Sequence, residues 1–287
     1  EFSRADLALF SAGGDAAGRF APRAVATGCT VVDNSSAFRD HDNVPLVVPE
    51  VNGEQLAGLD TPCIVANPNC STIQLMVAVA PIQRAAGIER INVATYQSVS
   101  GQGRAAMEEL AQQTADRLRF RQPQCNEFAA VMAFNLLPGI GEIGADGFSS
   151  EEHKLMRESC RILDDPELAV NASAARVPVF FGHAEAVHLE TRTPLEIERV
   201  MELLRSAPGV VLVEDGQALP TPVTHAAGAD AVFVARVRRD PSHPRGIDLW
   251  VMADNIRKGA ALNAVQIAEA LIAAKDLRSP AHGRVTV

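Results

Sequence analysis

The chain has 287 residues, of which 47% are hydrophobic and 21% charged, as in ordinary globular proteins. Its formal net charge of −9 argues against a nucleic-acid partner, so an anionic substrate would need local arginine or lysine side chains. The five cysteines are scattered and not spaced like metal ligands, and the chain start lacks a signal-peptide pattern. No segment is apolar for long enough to span a bilayer. Because the scattered cysteines fit a reducing cytosol better than a disulfide framework, we expect a cytoplasmic protein.

Strands and helices alternate in the first third of the chain. Strands are predicted at Asp6 to Phe10, Thr30 to Asp33 and Cys63 to Ala66, which indicates a parallel sheet with ligands at its carboxyl edge. The small-residue loop at 11–14 either lets a backbone approach a phosphate or ribose, or simply forms a βα turn. No glycine-rich pyrophosphate loop follows the first strand. We therefore expect a dinucleotide-binding domain without its first βαβ unit.

A cysteine lies where the third predicted strand gives way to a helix. The segment Asn67-Pro68-Asn69-Cys70-Ser71-Thr72 precedes a run of helix-forming residues from Ile73 to Ala86. At a helix start, unpaired backbone N–H groups and the positive end of the helix dipole favour thiolate, the form that attacks carbonyl carbon. The alternative is a buried apolar cysteine. The position of Cys70 alone leaves both interpretations open.

The middle of the chain predicts a different architecture. Helices are expected from Arg104 to Leu118, from a capping box at Ser149 to about Leu163, and from Thr193-Pro194 onward. Strands are expected at Ile91 to Tyr96, Ala174 to Phe181, Glu185 to Thr191, Ala231 to Val237 and Ile247 to Met252. Consecutive strands joined by turns indicate an antiparallel or mixed sheet, and hence a second domain of the α+β class.

The end of the chain predicts one more helix. It begins near Lys258-Gly259 and carries apolar residues as far as Leu271. The tail from Ala273 to Val287 is short and polar, and we expect it to be disordered.

Several of these segments together resemble the bacterial aspartate-semialdehyde dehydrogenase family. The resemblance extends from about Asp6 to Leu271, with the motifs in family order. Besides the hexapeptide around Cys70, it is carried by Val32 to Arg39, Val44 to Asn52, Tyr96 to Gly101, Glu151 to Lys154, Arg176 to His183 and Asp254 to Asn263.

The resemblance implies a fold and a reaction. The fold is an incomplete Rossmann-type domain, residues 1–68 and 263–287, with an inserted catalytic and dimerisation domain at 69–262. The reaction is the reductive dephosphorylation of aspartyl 4-phosphate to aspartate 4-semialdehyde with NADPH. This step leads toward lysine, threonine, methionine and, in bacteria, diaminopimelate. The family also implies a homodimer that associates through the α+β domain, and no metal.

Three residues match the family's catalytic groups. Cys70 matches the nucleophile, because an acyl phosphate needs a soft nucleophile whose thioester then accepts hydride. His183 matches the base that takes the thiol proton and returns it to the leaving oxygen. The alternative is a loop histidine whose hydrogen bonds are all made locally. Against it, Arg176 lies seven residues earlier on the same strand-turn unit and could share the pocket of His183. Gln97 matches the side chain that orients the acyl group.

Five residues match the family's substrate contacts. Arg176 matches the bidentate clamp on the substrate α-carboxylate. Arg39 and Lys154 match the residues that bind phosphate, although either could be an ordinary exposed cation. Glu151 shares a helix face with Lys154 and matches the carboxylate that binds the substrate amino group. Asn69 could help to position the thioester oxygen.

A further set of residues is assigned to the cofactor, NADP. The loop after the first strand matches a nucleotide-contacting segment, and Asn263 matches a residue near the nicotinamide amide. Ser100 and Gly101 belong to a loop that would let the backbone pass close to the cofactor or the phosphate, although flexibility alone could explain its glycines. The loop residues are Ser11, Ala12, Gly13 and Gly14.

Two alternatives accompany this interpretation. N-acetyl-glutamyl-phosphate reductase uses the same strategy, but that family resembles Asn-Pro-Gly-Cys at the thiol, where this chain has Asn69. The second alternative is a catalytically silent, truncated homologue that serves as a dimer partner. The missing cofactor loop favours the silent homologue, whereas the joint presence of Cys70, Gln97, Arg176 and His183 argues against it.

Overall fold

The computed structural model describes residues 2–214, 216 and 218–275. They form two compact units, of which the first contains the residues up to Pro68 and those from Ala260 onward. The second unit is Asn69–Gly259. The expectation of a disordered tail is wrong for Ala273 to Lys275, which belong to the last helix, and residues 276–287 lie outside the described residues.

Seven α-helices and ten strands can be assigned among the described residues. The helices are α1 (Gly14–Ala26), α2 (Pro49–Asn52), α3 (Cys70–Ala86), α4 (Arg104–Leu118), α5 (Ser150–Ile162), α6 (Ile197–Ser206) and α7 (Leu262–Lys275). The strands are β1 (Leu7–Phe10), β2 (Thr30–Asp33), β3 (Ile64–Ala66), β4 (Ile88–Gln97), β5 (Leu137–Pro138), β6 (Ala169–Arg176), β7 (His183–Thr191), β8 (Val210–Val213), β9 (Val232–Arg239) and β10 (Gly246–Ala253). Short 3₁₀ turns lie at Phe2–Arg4, Gly53–Gly58 and Val99–Gln102, and π turns at Pro222–Ala226 and Arg257–Ala261.

The first unit contains a three-stranded parallel sheet in the order β1-β2-β3, which confirms the predicted α/β class. Its core forms because α7 places Ile267, Ala268 and Leu271 on one face, and these pack in one apolar cluster with Val32 and Val65. The carboxyl ends of β1, β2 and β3 lie at the same edge of the sheet, where α/β folds bind ligands.

The second unit is built on a seven-stranded mixed sheet in the order β5-β6-β4-β7-β10-β9-β8. Strand β4 pairs parallel to β6 and antiparallel to β7, so β6 and β7 are not neighbours. The expectation that consecutive strands pair antiparallel is therefore wrong for β6 and β7, because an earlier strand lies between them. It holds for β9 and β10. Helix α3 contacts β4, β7, β9 and β10.

Several element boundaries differ from those predicted, and three of the differences have a local cause. Strand β6 ends at Arg176 rather than Phe181, because the carbonyl groups of Val179 and Phe180 accept hydrogen bonds from the loop after β4. Helix α6 begins at Ile197, since Glu196 is its extended N-cap and Pro194 precedes it. The last helix begins at Leu262, because residues 257–261 form a π turn.

The glycine spacing G-x-G-x-x-G occurs in the second unit, at Gly139–Gly144 between β5 and α5. Strand β5 pairs antiparallel to β6, so this loop does not follow a strand of the parallel sheet. A β-carbon at Gly141 would collide with Ser150 Oγ, and the Gly144 N–H donates to the Phe148 carbonyl. These glycines are explained by tight local turns against the start of α5.

Within the part of the chain that the structure describes, we find no helix that is both long and apolar enough to cross a membrane.

Candidate active site

Cys70 is the first residue of helix α3, as the sequence predicts. The side-chain oxygen of Asn69 caps the helix and accepts hydrogen bonds from the N–H groups of Ser71 and Thr72 at 3.0 and 3.4 Å. The expectation of unpaired N–H groups is therefore wrong for these two residues, whereas the helix dipole still favours negative charge on the sulfur. Gly259 approaches closely, because a β-carbon there would lie 2.9 Å from Cys70 Cβ.

His183 lies beside the thiol. Its Nε2 is 3.4 Å from Cys70 Sγ, which is within hydrogen-bond distance for sulfur. The ring is fully buried at the first position of β7. Burial and the nearby Arg176 charge lower the pKa of His183 to about 3, and Glu151 offsets this only in part. The free imidazole is therefore neutral at physiological pH.

Ser98 contacts the other nitrogen of His183 and Asn255 contacts Ser98, and the sequence prediction missed both. The backbone N–H of Ser98 donates to Nδ1 at 3.1 Å, and Ser98 Oγ lies 3.0 Å from the same atom. Asn255 Oδ1 lies 3.0 Å from Ser98 Oγ and 3.2 Å from Ser100 Oγ. Ser100, predicted to contact the cofactor, thus belongs to the buried network behind His183. Both missed residues lie in motifs of the resemblance, but their spacing gives no sign that they meet.

Arg176, at the end of β6, lies close to the same pair. Its Nη1 donates to the Ser98 carbonyl at 2.9 Å, and the side chain is 6% exposed. The pKa of Arg176 is lowered, because the effect of burial outweighs those of Cys70 and Glu151, which raise it. Gly101 is explained here, because a β-carbon would lie 3.1 Å from Arg176 Nη1 and 3.5 Å from the His183 ring.

Glu151, on α5, contacts three polar side chains of the site. Its Oε1 accepts hydrogen bonds from Asn69 Nδ2 at 2.9 Å and Gln97 Nε2 at 3.1 Å, and its Oε2 lies 3.1 Å from Lys154 Nζ. Burial pushes the pKa of Glu151 upward, but the Lys154 charge and the hydrogen bonds outweigh it, so the pKa is lowered. Glu158, two helical turns later, accepts the Asn69 N–H at 2.7 Å. That seven-residue spacing is the signal that could have identified Glu158.

A cavity of about 640 Å³ opens beside these groups, and its lining includes Gly101, Glu151, Lys154 and Arg176. The structure thus brings together the residues predicted for the substrate within the second unit. Its lining carries a guanidinium and a carboxylate paired with a lysine. Such an arrangement can bind a molecule that has both an anionic and a cationic group.

Two other predicted residues lie in the first unit. Arg39 donates from Nε to the Asn67 carbonyl at 2.8 Å and from Nη2 to the Asn34 carbonyl at 3.1 Å. Asn263 is fully buried, and its Nδ2 donates to Asn67 Oδ1 at 2.7 Å and to the Val47 carbonyl at 3.0 Å. These bonds hold the turn after β3.

The predicted nucleotide loop, residues 11–14, follows the carboxyl end of β1. Gly13 is the N-cap of α1 with φ of 88°, and no atom lies within 4 Å of a β-carbon built at Gly13 or Gly14. The loop therefore leaves open space at the start of a helix. Ser11 Oγ accepts a weak hydrogen bond from Asn34 Nδ2 at 3.5 Å. An open glycine turn of this kind fits a phosphate or ribose.

The parallel sheet and the cysteine–histidine pair are those of an NAD(P)-binding oxidoreductase. The chain belongs to the semialdehyde dehydrogenase family: the NAD-binding domain of the family matches residues 1–59, and the dimerisation domain matches residues 79–258.

Individual relatives agree with the family. The chain is 52% identical over 272 residues to the aspartate-semialdehyde dehydrogenase of Shewanella violacea, which covers 95% of this chain and 80% of the relative. The crystal structure of aspartate semialdehyde dehydrogenase II from Vibrio cholerae is 51% identical, with a TM-score of 0.93, 95% coverage of this chain and 81% of that chain. A second structure of that enzyme, complexed with ASA, gives the same values.

Proposed function

We propose that the chain catalyses the reductive dephosphorylation of aspartyl 4-phosphate to aspartate 4-semialdehyde. The observation that carries the proposal is Cys70 Sγ at 3.4 Å from His183 Nε2, with Arg176 and Glu151 around the pair. The relatives at about half identity that are named aspartate-semialdehyde dehydrogenase support the same substrate.

The first step forms a thioester on Cys70. His183 Nε2 takes the thiol proton, the sulfur attacks the acyl carbon, and the carbon–oxygen bond to phosphate breaks. The proton on Nε2 passes to the departing phosphate oxygen. Arg176 pairs with the substrate α-carboxylate, and Glu151 with its ammonium group. Gln97, fixed by its bond to Glu151, orients the acyl group, and Lys154 binds the phosphate.

The second step releases the aldehyde. The nicotinamide, when bound, supplies a hydride to the thioester carbon. The carbon–sulfur bond then breaks with its electron pair returning to Cys70, and the sulfur takes a proton from solvent. The sum is one acyl phosphate, one NADPH and one proton converted to aldehyde, NADP and phosphate. The α3 dipole favours the thiolate that leaves in this step.

Glu151 distinguishes the two enzymatic candidates. Its lowered pKa keeps it ionised, and an ionised carboxylate suits a free α-ammonium group. An N-acetylated substrate presents a neutral amide there and offers no cationic group to pair with the carboxylate. The chain also has Asn69 before the cysteine rather than glycine. Both features favour the aspartyl substrate.

The cofactor that we propose is NADPH, bound by the first unit as its dinucleotide-binding domain. The residues that would hold it are the open loop at 11–14 and Asn263, which would lie near the nicotinamide amide. The match of residues 1–59 to an NAD-binding domain supports nucleotide binding. Because no residue here is assigned to a 2′-phosphate, initial rates with NADPH and NADH test this choice directly; equal rates with both would reject it.

We further propose a cytoplasmic homodimer that associates through the second unit. The match to a dimerisation domain supports the location of the interface. An apolar cavity that includes Leu219, Pro220, Trp250 and Met252 offers a surface that association could cover. Light scattering during size-exclusion chromatography would show twice the chain mass, whereas a stable monomer would reject the dimer.

Replacing Cys70 tests the reaction most simply. We expect Cys70→Ala to reduce phosphate-dependent oxidation of aspartate semialdehyde to background, because no other group can form the thioester. The control is Cys160→Ala, which removes a half-buried thiol that lies on a different helix, α5. Intact-mass measurement and circular dichroism verify both proteins. Full activity in Cys70→Ala would reject the nucleophile, and a preference for N-acetyl-glutamate semialdehyde in the wild type would favour the alternative enzyme.

A further inference from the structure

Ser98 contacts Nδ1 of the His183 imidazole in two ways. The backbone nitrogen of Ser98 lies 3.1 Å from Nδ1, and its Oγ lies 3.0 Å away. The N–H group can only donate a hydrogen bond, whereas the hydroxyl can donate or accept. Ser98 therefore presents one fixed donor and one group that can reverse its direction.

The two forms of His183 need different partners at that nitrogen. When Nδ1 of the neutral ring accepts the Ser98 N–H, the proton lies on Nε2, opposite Cys70 Sγ, and Nε2 cannot take the thiol proton. To act as the base at Nε2, the neutral ring must carry its proton on Nδ1, which then donates a hydrogen bond. In the protonated ring, both nitrogens carry protons and Nδ1 must donate. The fixed N–H of Ser98 opposes that state, so the imidazolium requires a nearby acceptor.

Asn255 allows the Ser98 hydroxyl to become that acceptor. The Gly182 N–H donates to Asn255 Oδ1 at 3.0 Å, which fixes the amide orientation, and Ser98 Oγ lies 3.0 Å from the same oxygen. When the hydroxyl donates to Oδ1, a lone pair of Oγ faces His183 Nδ1. Ser98 and His183 are fully buried and Asn255 is 2% exposed, so water does not compete for these bonds.

We propose that Ser98 and Asn255 are positioning residues for the base: Ser98 Oγ accepts a hydrogen bond from Nδ1–H of protonated His183 while it donates to Asn255 Oδ1. This inference rests on the Cys70–His183 pair of the proposed function. The other charged groups facing the ring are Arg176 at the end of β6 and Glu151 on α5. Neither is altered in the variants below.

The rate at which iodoacetamide alkylates Cys70 tests the proposal without substrate or cofactor. The rate is followed against pH on the full chain, with the modified peptide quantified by mass spectrometry. Ser98→Ala removes the acceptor but keeps the backbone N–H. We expect the acid limb of the profile to move to higher pH by about one unit, with alkylation below it slower by about tenfold. Ser98→Thr should restore the wild-type profile.

Two further variants control the result. Ser159→Ala removes a buried hydroxyl of α5 that has no hydrogen-bond partner within the described residues, and it should leave the profile in place. Asn255→Asp supplies a stronger acceptor for the Ser98 hydroxyl and should move the acid limb to lower pH. If Ser98→Ala does not fold, Asn255→Asp carries the test. Profiles that superimpose on the wild type, or an Asn255→Asp shift to higher pH, would overturn the proposal.

Turnover separates this inference from the proposed function. Ser98→Ala should lower kcat and leave the KM for aspartate semialdehyde unchanged, because Arg176 and Glu151 still bind the substrate. If the alkylation profiles of the variants shift as expected but the wild-type protein does not turn over aspartate semialdehyde, the proposed function alone is rejected. Normal wild-type turnover with no shift in Ser98→Ala would reject the positioning role alone.

Discussion

Two buried glutamates of the second unit have opposite electrostatic surroundings. Glu151 on α5 has partners at both carboxyl oxygens, and its pKa is lowered. Glu185 on β7 is fully buried, and neither oxygen has a hydrogen-bond partner of ordinary geometry among the described residues. Burial raises its pKa well above the usual value, and nearby Gln74 offsets this only in part.

This difference distinguishes a charged carboxylate that can bind a ligand from a neutral carboxylic acid in the core. Glu151 is held as a carboxylate beside the cavity, where a substrate ammonium group can pair with it. Glu185 lies two residues after His183 on the same strand, yet it is held as a neutral acid. Burial alone therefore does not identify a functional carboxylate; the donors around it do.

The largest effect is expected when the charge of Glu151 is removed. Glu151→Gln keeps the shape but cannot pair with an ammonium group, and we expect kcat/KM for aspartate semialdehyde to fall by about one-hundredfold. Steady-state kinetics provide the measurement. The control is Glu152→Gln, since Glu152 serves the capping box of α5. An equal loss in both variants would attribute the effect to the helix rather than to the charge.

A smaller effect is expected at Arg176, which also lines the cavity. Arg176→Lys keeps the charge but loses the guanidinium fork, so we expect KM for aspartate semialdehyde to rise by about tenfold. Arg199→Lys, at an exposed position of α6, serves as the control. An unchanged KM in Arg176→Lys would contradict a clamp on the substrate carboxylate.

The smallest effect on activity is expected at Glu185. Glu185→Gln should leave kcat and KM unchanged, because the wild-type group is already neutral. Its effect is on stability: the folded pKa is raised, so above about pH 4.3 unfolding releases a proton and stability falls as pH rises toward the folded pKa. We expect Glu185→Gln to gain on the order of 1 kcal/mol relative to wild type at neutral pH and above.

Urea unfolding between pH 5 and 9 measures this difference, with exposed Glu198→Gln as the control. Glu151→Gln should change the free energy of unfolding in the opposite direction and be less stable than wild type. Its folded pKa is lowered, so its charge contributes stability above about pH 4.3 that is lost as pH falls through the folded pKa. A Glu185→Gln variant with no stability gain at high pH would place a charged, partnered carboxylate in the core.

Local signals in the sequence predict much of the fold. Strand β2 was predicted at its observed bounds, and the place of Cys70 at the strand-to-helix turn followed from the change in apolar pattern. The neighbours of β4 were not predictable, because the order of strands along the chain does not reveal that β4 lies between β6 and β7. The start of α6 was misplaced because a proline was taken as the first helical position, whereas Glu196 is the cap.

The candidate site divides in the same way. Cys70, His183 and Arg176 stand in recognisable segments, so their roles could be hypothesised from the sequence. The cap by Asn69 was also predictable, because asparagine is a preferred N-cap residue. Ser98 and Asn255 are 157 positions apart, and only the folded chain shows that they share a hydrogen bond.

The account depends most on the thioester at Cys70, and one measurement tests it directly. The protein is incubated with aspartate semialdehyde and NADP in the absence of phosphate, quenched in acid and digested, and its cysteine peptides are analysed by mass spectrometry. We predict an aspartyl adduct on the peptide that contains Cys70, and its release when phosphate is added before the quench. An adduct on another cysteine would contradict the account. So would wild-type turnover that proceeds without any adduct and is undiminished in Cys70→Ala.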